Sequence, residues 1–376
     1  MKIVIAPDSF KGSLSAKAAA AAIERGIKKA DDAVRTVNMP MADGGEGTLD
    51  CLIQATSGTF VSCPVLDPLG REISSGYGIL GDGKTCVIEM AMASGLYLIG
   101  EHERNPMLTT TYGFGQLIVS ALDHGCRQFI LALGGSATND GGAGMLQALG
   151  VELLDHAGKA IGFGGGALSE LSTIRIDGMD ARLKECEFLI ACDVDNPYIG
   201  EKGASVVFGP QKGATSEMVA QLDRNLELFA DVIRQTLGIS IHHQPGAGAA
   251  GGLAGAIKAI LQGKLKSGVA IVSRFTRLEE AIAGADLVIT GEGRIDSQTA
   301  GGKTLSGIAR LAQGHGVPVI VLAGSIGDGI EVLYKHGITA IFSIVNRPMK
   351  LGEAMAATEG LLEEAAEQVL RTILYT

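Results

Sequence analysis

Residues 2–30, KIVIAPDSFKGSLSAKAAAAAIERGIKKA, decide the fold class. Lys2 to Ala6 is a short run, apolar after its first residue and closed by Pro7, which reads as a strand buried on both faces. Ser13 and Ser15 then offer caps to an alanine-rich stretch predicted to be helical to about Ala30. Strand, loop and helix in that order form the first half of a βαβ unit. Val34–Met39 reads as a second strand and Gly45–Thr56 as the source of the next helix, so the chain starts as a β–α–β–α wind.

The C-terminal third repeats the style. Asp286–Thr290, Val317–Leu322 and Ala340–Ile344 are apolar strands with helical segments between them. The middle differs: Gly58–Val65, Glu72–Leu80 and Thr85–Met90 are strand-like runs separated by short turns, which predicts antiparallel hairpins. Arg127–Leu133 returns to the parallel type. The expected fold is α/β, a Rossmann-like doubly wound parallel sheet interrupted by a second, mixed α/β domain. The boundaries drawn are 1–60, 92–150 and 266–376 for the Rossmann-like domain, and 61–91 with 151–265 for the insert.

Composition agrees with a large core. The chain has 376 residues, 46% of them hydrophobic, and its 54 glycines exceed what helix and strand interiors tolerate, so many must lie in loops. With 31 basic and 41 acidic residues the net charge is −10, which argues against a nucleic-acid surface or an anionic membrane patch. An anionic ligand therefore needs a local cradle. The six cysteines contain no CxxC pair and read as reduced core thiols, and no HExxH pattern marks a zinc site. The apolar run after Lys2 is too brief for a signal peptide, and none reaches the roughly 18 residues a membrane helix needs. A cytoplasmic location is expected.

One perfect motif misleads. Gly78-Ile-Leu-Gly-Asp-Gly-Lys84-Thr85 matches GxxxxGK[ST], but Cys86–Met90 after it is strand-like, whereas a phosphate loop opens a helix. Asp82-Gly83 is the stronger signal, and it reads as a hairpin turn.

Other loops follow strands, where open parallel sheets bind ligands. In Ala6–Ser13, Lys11 and the free amides of the next helix suit an anion and Asp8 a metal or hydroxyl; an ordinary Ser13 or Ser15 cap is the alternative. In Asp43-Gly-Gly-Glu46-Gly-Thr48 the carboxylates suit magnesium or substrate hydroxyls, or else favour the next helix N-terminus. Leu133–Gly144 runs from a strand end into a glycine-rich loop whose amides can cradle phosphate, and Gly134, Gly135, Ser136, Thr138, Asn139, Gly141 and Gly142 are its candidate contacts. Asp193 and Asp195 end another strand before an Asx-turn-like Asn196-Pro197. The loop Gly209-Pro-Gln-Lys212-Gly213 downstream suits an anion site beside a base or metal ligand. Thr290-Gly-Glu292-Gly-Arg294-Ile-Asp296, with Lys303 beyond, combines the charges phosphoryl transfer requires; surface salt pairing is the alternative. Pro245–Leu253 carries no reactive side chain and reads as backbone packing.

Together and in order, APDSFKGSLSA (6–16), PMADGGEGT (40–48), GGSATNDGGAGMLQALG (134–150), ACDVDNP (191–197), VFGPQKGA (207–214), PGAGAAGGL (245–253) and TGEGRIDSQTAGGK (290–303) resemble the bacterial glycerate kinase family over essentially the whole length. Tyr198 after Pro197 is a minor difference outside the loops. The resemblance implies a kinase using ATP and magnesium (Mg2+), with D-glycerate as acceptor at its 2-hydroxyl. Under that reading the nucleotide phosphates rest on Gly134–Gly144. Asp43, Asp193 and Asp296 supply magnesium ligands, and Asp193 orients the acceptor hydroxyl. Lys11, Arg294 and Lys303 meet the glycerate carboxylate or the transferring phosphoryl group, and Asp8, Ser9, Asp43 and Glu46 complete substrate binding. A 3-kinase, or a kinase of another small hydroxy acid, is the near alternative. A nucleotide-dependent oxidoreductase is more distant, because no well-placed GxGxxG is present, and a non-catalytic metabolite sensor is a further class. The residues leave the oligomeric state open, a homo-oligomer included.

Overall fold

The computed structural model describes residues 1–300 and 303–374, the side chains of Gln298, Ala300 and Lys303 excepted. In chain order the strands begin with β1 (Lys2–Ile5) and β2 (Arg35–Asn38). The middle of the chain supplies β3 (Thr59–Leu66), β4 (Glu72–Ile79), β5 (Thr85–Glu89), β6 (Gln128–Ala132), β7 (Glu152–Leu154), β8 (Thr173–Arg175), β9 (Glu187–Ala191) and β10 (Lys264–Lys266). Beyond it lie β11 (Leu287–Ile295), β12 (Val319–Ile326) and β13 (Ala340–Ser343).

The chain divides into two compact units. The first comprises Met1–Asp43, Asp50–Ala55 and Ser267–Thr376. Its five-stranded sheet has the order β13-β12-β11-β1-β2 and is parallel throughout. β1 lies inside the sheet, with Ile3 opposite Leu287 on one side and Thr36 on the other, and Ile3, Val4 and Ile5 are fully buried. That is why the opening run is apolar without alternation. Along β12 the faces separate by parity. Ile320 and Leu322 pack with the helices Ala16–Ala30 and Thr358–Leu374, whereas Val321 and Ala323 pack with Leu305 and Ala309 of the helix Lys303–Gly314. Helices on both faces make this a doubly wound sheet.

The second unit comprises Gly44–Leu49 and Thr56–Lys266. Its six-stranded sheet has the order β10-β9-β6-β5-β4-β3, with β5, β6, β9 and β10 parallel and β3, β4 and β5 joined as antiparallel hairpins. β7 and β8 form a separate antiparallel pair. The expected hairpins are therefore present, and GxxxxGK[ST] occupies the β4–β5 turn. Gly83 has φ +67° there, and Asp82 accepts from the N–H groups of Lys84 and Thr85.

The expected boundaries need correction. Residues 44–49, 56–60 and 92–150, expected in the Rossmann-like domain, belong to the second unit, where β6 pairs with β5 (Ile130 opposite Val87) and with β9 (Ile130 opposite Leu189). An apolar parallel-type strand declares its burial but not its sheet, and this chain holds two parallel sheets. Among the described residues no helix is long and apolar enough to cross a membrane.

Candidate active site

In the first unit, the polar residues at the carboxyl ends of three adjacent strands line a common cavity. Past β1, the Asp8 N–H donates to the Gly291 carbonyl at 2.9 Å, which fixes the β1 end beside β11. Past β2, the Met41 N–H donates to the Pro7 carbonyl at 2.9 Å and leads the chain to Asp43. The cavity here has a volume of about 540 Å³, and its polar lining includes Asp8, Ser9, Lys11, Asp43, Glu292 and Arg294.

Its electrostatics are those of crowded carboxylates. Asp8 is 9% exposed; its oxygens accept from the Ser9 N–H at 2.6 Å and the Thr304 hydroxyl at 2.8 Å. Burial, then the charge of Asp43, raises its pKa against those hydrogen bonds and Lys11. Burial and Asp8 push Glu292 up to about 7, opposed by a Thr299 hydrogen bond and Lys11. Oxygen donors held together at this cost suit a hard cation or a cationic partner. Among the described residues no group of three or more His, Cys, Asp or Glu is arranged to hold a metal ion by itself, which is compatible with magnesium's habit of keeping waters and phosphate oxygens. Arg294, largely exposed, is 3.4 Å from Asp296, so the salt-pairing alternative accounts for part of that motif. The Lys303 side chain lies outside the described residues. Ser15, not Ser13, caps the helix Ala16–Ala30, while Ser13 Oγ donates to the Met355 carbonyl at 2.6 Å.

The second unit has its own cluster at the ends of β6 and β9. A Cβ on Gly134 would stand 2.7 Å from Gly45 Cα, and one on Gly44 2.9 Å from the Ala191 carbonyl oxygen. Glycine is required on both loops because backbone approaches backbone. Exposed Glu46 lies on the Gly44–Gly45 loop, and half-buried Asp193 follows β9.

The glycine loop itself splits into two parts. Its later amides serve the loop: Gly141 donates to the Gly251 carbonyl at 3.0 Å, and Gly142 and Gly144 donate to the Asp140 carboxylate at 3.0 and 3.2 Å. Asp140, 0% exposed, also accepts from the Thr111 N–H and hydroxyl, both at 2.8 Å. Burial raises its pKa against these bonds. The earlier amides, those of Gly134, Gly135, Ser136, Thr138 and Asn139, have no partner among the described residues. Thr138 Oγ1 and Asn139 Oδ1 are buried with no hydrogen-bond partner either. Buried polar groups left unpaired cost on the order of 1–3 kcal/mol each, which makes the Thr138 and Asn139 oxygens, beside free amides, candidates for polar ligand contacts. The buried Lys212 ammonium donates to Ser136 Oγ at 2.7 Å and to the Thr138 carbonyl at 2.6 Å.

Four of these roles were not apparent from sequence alone. Glu292 and Lys212 sit in motifs already singled out, but burial is what distinguishes them. Asp140 looks like one more loop acid, and Thr304 is distant in sequence from Asp8.

The glycerate kinase family model matches residues 3–374. The chain belongs to the glycerate kinase family. It is 51% identical to the glycerate kinase of Bacillus subtilis (strain 168), over 99% of this chain and 98% of that one. It is 49% identical to the glycerate 2-kinase of Escherichia coli (strain K12), again over 99% and 98%. A solved structure from Salmonella typhimurium LT2, assigned as a glycerate kinase 2, superposes with a TM-score of 0.90 at 45% identity, covering 100% of this chain and 98% of that one. The enzyme class is the family's, a phosphotransferase acting on an alcohol group.

Proposed function

We propose that this glycerate kinase transfers the γ-phosphoryl group of ATP to the 2-hydroxyl of D-glycerate, giving 2-phospho-D-glycerate and ADP, with magnesium. The observation that carries the reading is the run Gly134–Asn139, where unpaired amides and the orphaned Thr138 hydroxyl sit at a parallel strand's carboxyl end. Phosphate oxygens pair with such N–H and O–H donors, and the glycines allow them close. Gly141 and Gly142 act by holding the loop's shape.

In the first unit Lys11 and Arg294 answer negative charge, on the glycerate carboxylate or the transferring phosphoryl group. Asp8, Ser9 and Glu292 offer partners for hydroxyls. Asp193 is assigned the acceptor-orienting role and Lys303 a further cationic one. Of the carboxylates proposed for magnesium, Asp43 has the support of its place with Asp8 and Glu292, while Asp296 is engaged with Arg294. When bound, magnesium supplies charge neutralisation on phosphate oxygens. Phosphoryl transfer passes through a loose transition state, so positioning and neutralisation outweigh proton removal.

The test is ADP release requiring both glycerate and magnesium, with the product resolved by phosphorus NMR. A single 2-phosphoglycerate resonance is expected; exclusive 3-phosphate would overturn the regiochemistry. The relative named glycerate 2-kinase supports the 2-position. Asp193→Asn should lower kcat by at least about 100-fold, within the range for a lost catalytic contact. Near-normal turnover in a folded variant would remove that role.

A further inference from the structure

Lys212 stands apart from every other lysine described, being 1% exposed. Fully buried lysines are rare, because desolvating an ammonium is costly unless its hydrogen bonds are made. It ends the short turn Pro210–Lys212, and the following Gly213, at φ +92°, would drive a Cβ into the Arg104 carbonyl. The backbone is thus fixed on both sides of the residue. Both bonds of the ammonium go to the unpaired stretch of the glycine loop, one to a side chain and one to the main chain.

We propose that Lys212 is a positioning residue for the nucleotide phosphates, holding Ser136 and Thr138 so that their own donors face the ligand. The hydrogen-bond direction carries the argument. Ser136 Oγ accepts from Lys212 Nζ, so the hydroxyl proton of Ser136 is left for another acceptor. The bond to the Thr138 carbonyl pins the peptide that precedes the Asn139 N–H and sits beside the orphaned Thr138 Oγ1. The buried cation also adds positive potential behind the loop, in a protein whose net charge is −10. Burial lowers the Lys212 pKa to about 7 while the Asp140 charge raises it, so a phosphate nearby would favour the charged form.

This inference rests on the reading of Gly134–Asn139 as a phosphate cradle, and the experiment separates the two. Steady-state kinetics on full-length Lys212→Met, Ser136→Ala and Ser136→Thr would be measured with ATP and glycerate varied in turn. The expectation for Lys212→Met is a rise of at least tenfold in KM for ATP with KM for glycerate within twofold. Ser136→Ala should raise KM for ATP, Ser136→Thr should restore it, and Lys212→Met with Ser136→Ala should be no worse than Lys212→Met alone. If the Ser136 variants behave so but folded Lys212→Met keeps its KM for ATP, the positioning role is overturned and the cradle stands. If neither residue affects KM for ATP, both readings fall. Should Lys212→Met not fold, failure of Ser136→Thr to rescue Ser136→Ala overturns the proposal instead.

Discussion

At the scale of single residues, the glycine loop Gly134–Gly144 is held by charges hidden from solvent. Lys212 has a folded pKa of about 7, below the ordinary 10.5. Between those values the unfolded chain binds more protons than the folded one, so this group's contribution to stability rises with pH from about 7 to 10.5. The gain is fully present above the unfolded value and is lost as pH falls through the folded one. Urea unfolding of wild type and Lys212→Met at pH 7 and pH 9 isolates the effect, because other groups cancel in the difference. Relative to the variant, wild type should gain roughly 1.4 kcal/mol per pH unit over this window; a pH-independent difference would mean that the ammonium is not desolvated. Sequence gave no access to this. Gly209-Pro-Gln-Lys-Gly announces a turn bearing a lysine, but whether a lysine points inward depends on partners more than 70 positions away, at Ser136 and Thr138.

At the scale of elements, helix packing in the first unit depends on one glycine. The helices Ala16–Ala30 and Thr358–Leu374 meet at Gly26, where an added Cβ would overlap the Glu363 carbonyl, while Arg25 reaches Glu359 and Glu363 at 2.7 Å. Gly360, in the second of these helices, has nothing within 4 Å of where its Cβ would be. Intrinsic propensity favours alanine at both positions by about 0.5–1 kcal/mol, so packing alone separates them. Gly26→Ala should destabilise by about 1–3 kcal/mol through overpacking, and Gly360→Ala should be neutral to stabilising. Thermal melts check both, and equal effects would mean that the helices do not approach closely. The hairpins were legible because alternation and Asp82-Gly83 are local signals. The same locality makes Lys84 expendable: Lys84→Ala should leave KM for ATP unchanged, and a tenfold rise would return the β4–β5 turn to nucleotide binding.

At the scale of the whole molecule, the two units differ in how far apart in sequence their strands lie. In the first, β1 pairs with β11 by setting Ile3 opposite Leu287, so its central pairing closes over nearly the entire second unit. In the second, Val87 meets Ile130 and Ile130 meets Leu189, all within one stretch, with an extensive core of its own. This explains why the expected boundary failed at 92–150: apolar strand signals report burial, whereas assignment to a sheet is a long-range pairing that no local window contains. The alternation of parallel-type strands with helices is legible as α/β in the sequence, since it needs only local runs. Folding order should follow the separations. Closure entropy grows by about 0.6 kcal/mol per doubling of loop length, and non-local pairings form late. An already folded second unit would shorten the effective loop between β1 and β11, which makes its folding a favourable first step. Pulse-labelled hydrogen exchange during refolding of the full chain should therefore protect amides of β6 and β9 before those of β1 and β11. Simultaneous protection would mean that the units fold as one, and earlier protection of β1 would mean that the parallel sheet of the first unit nucleates despite its separation.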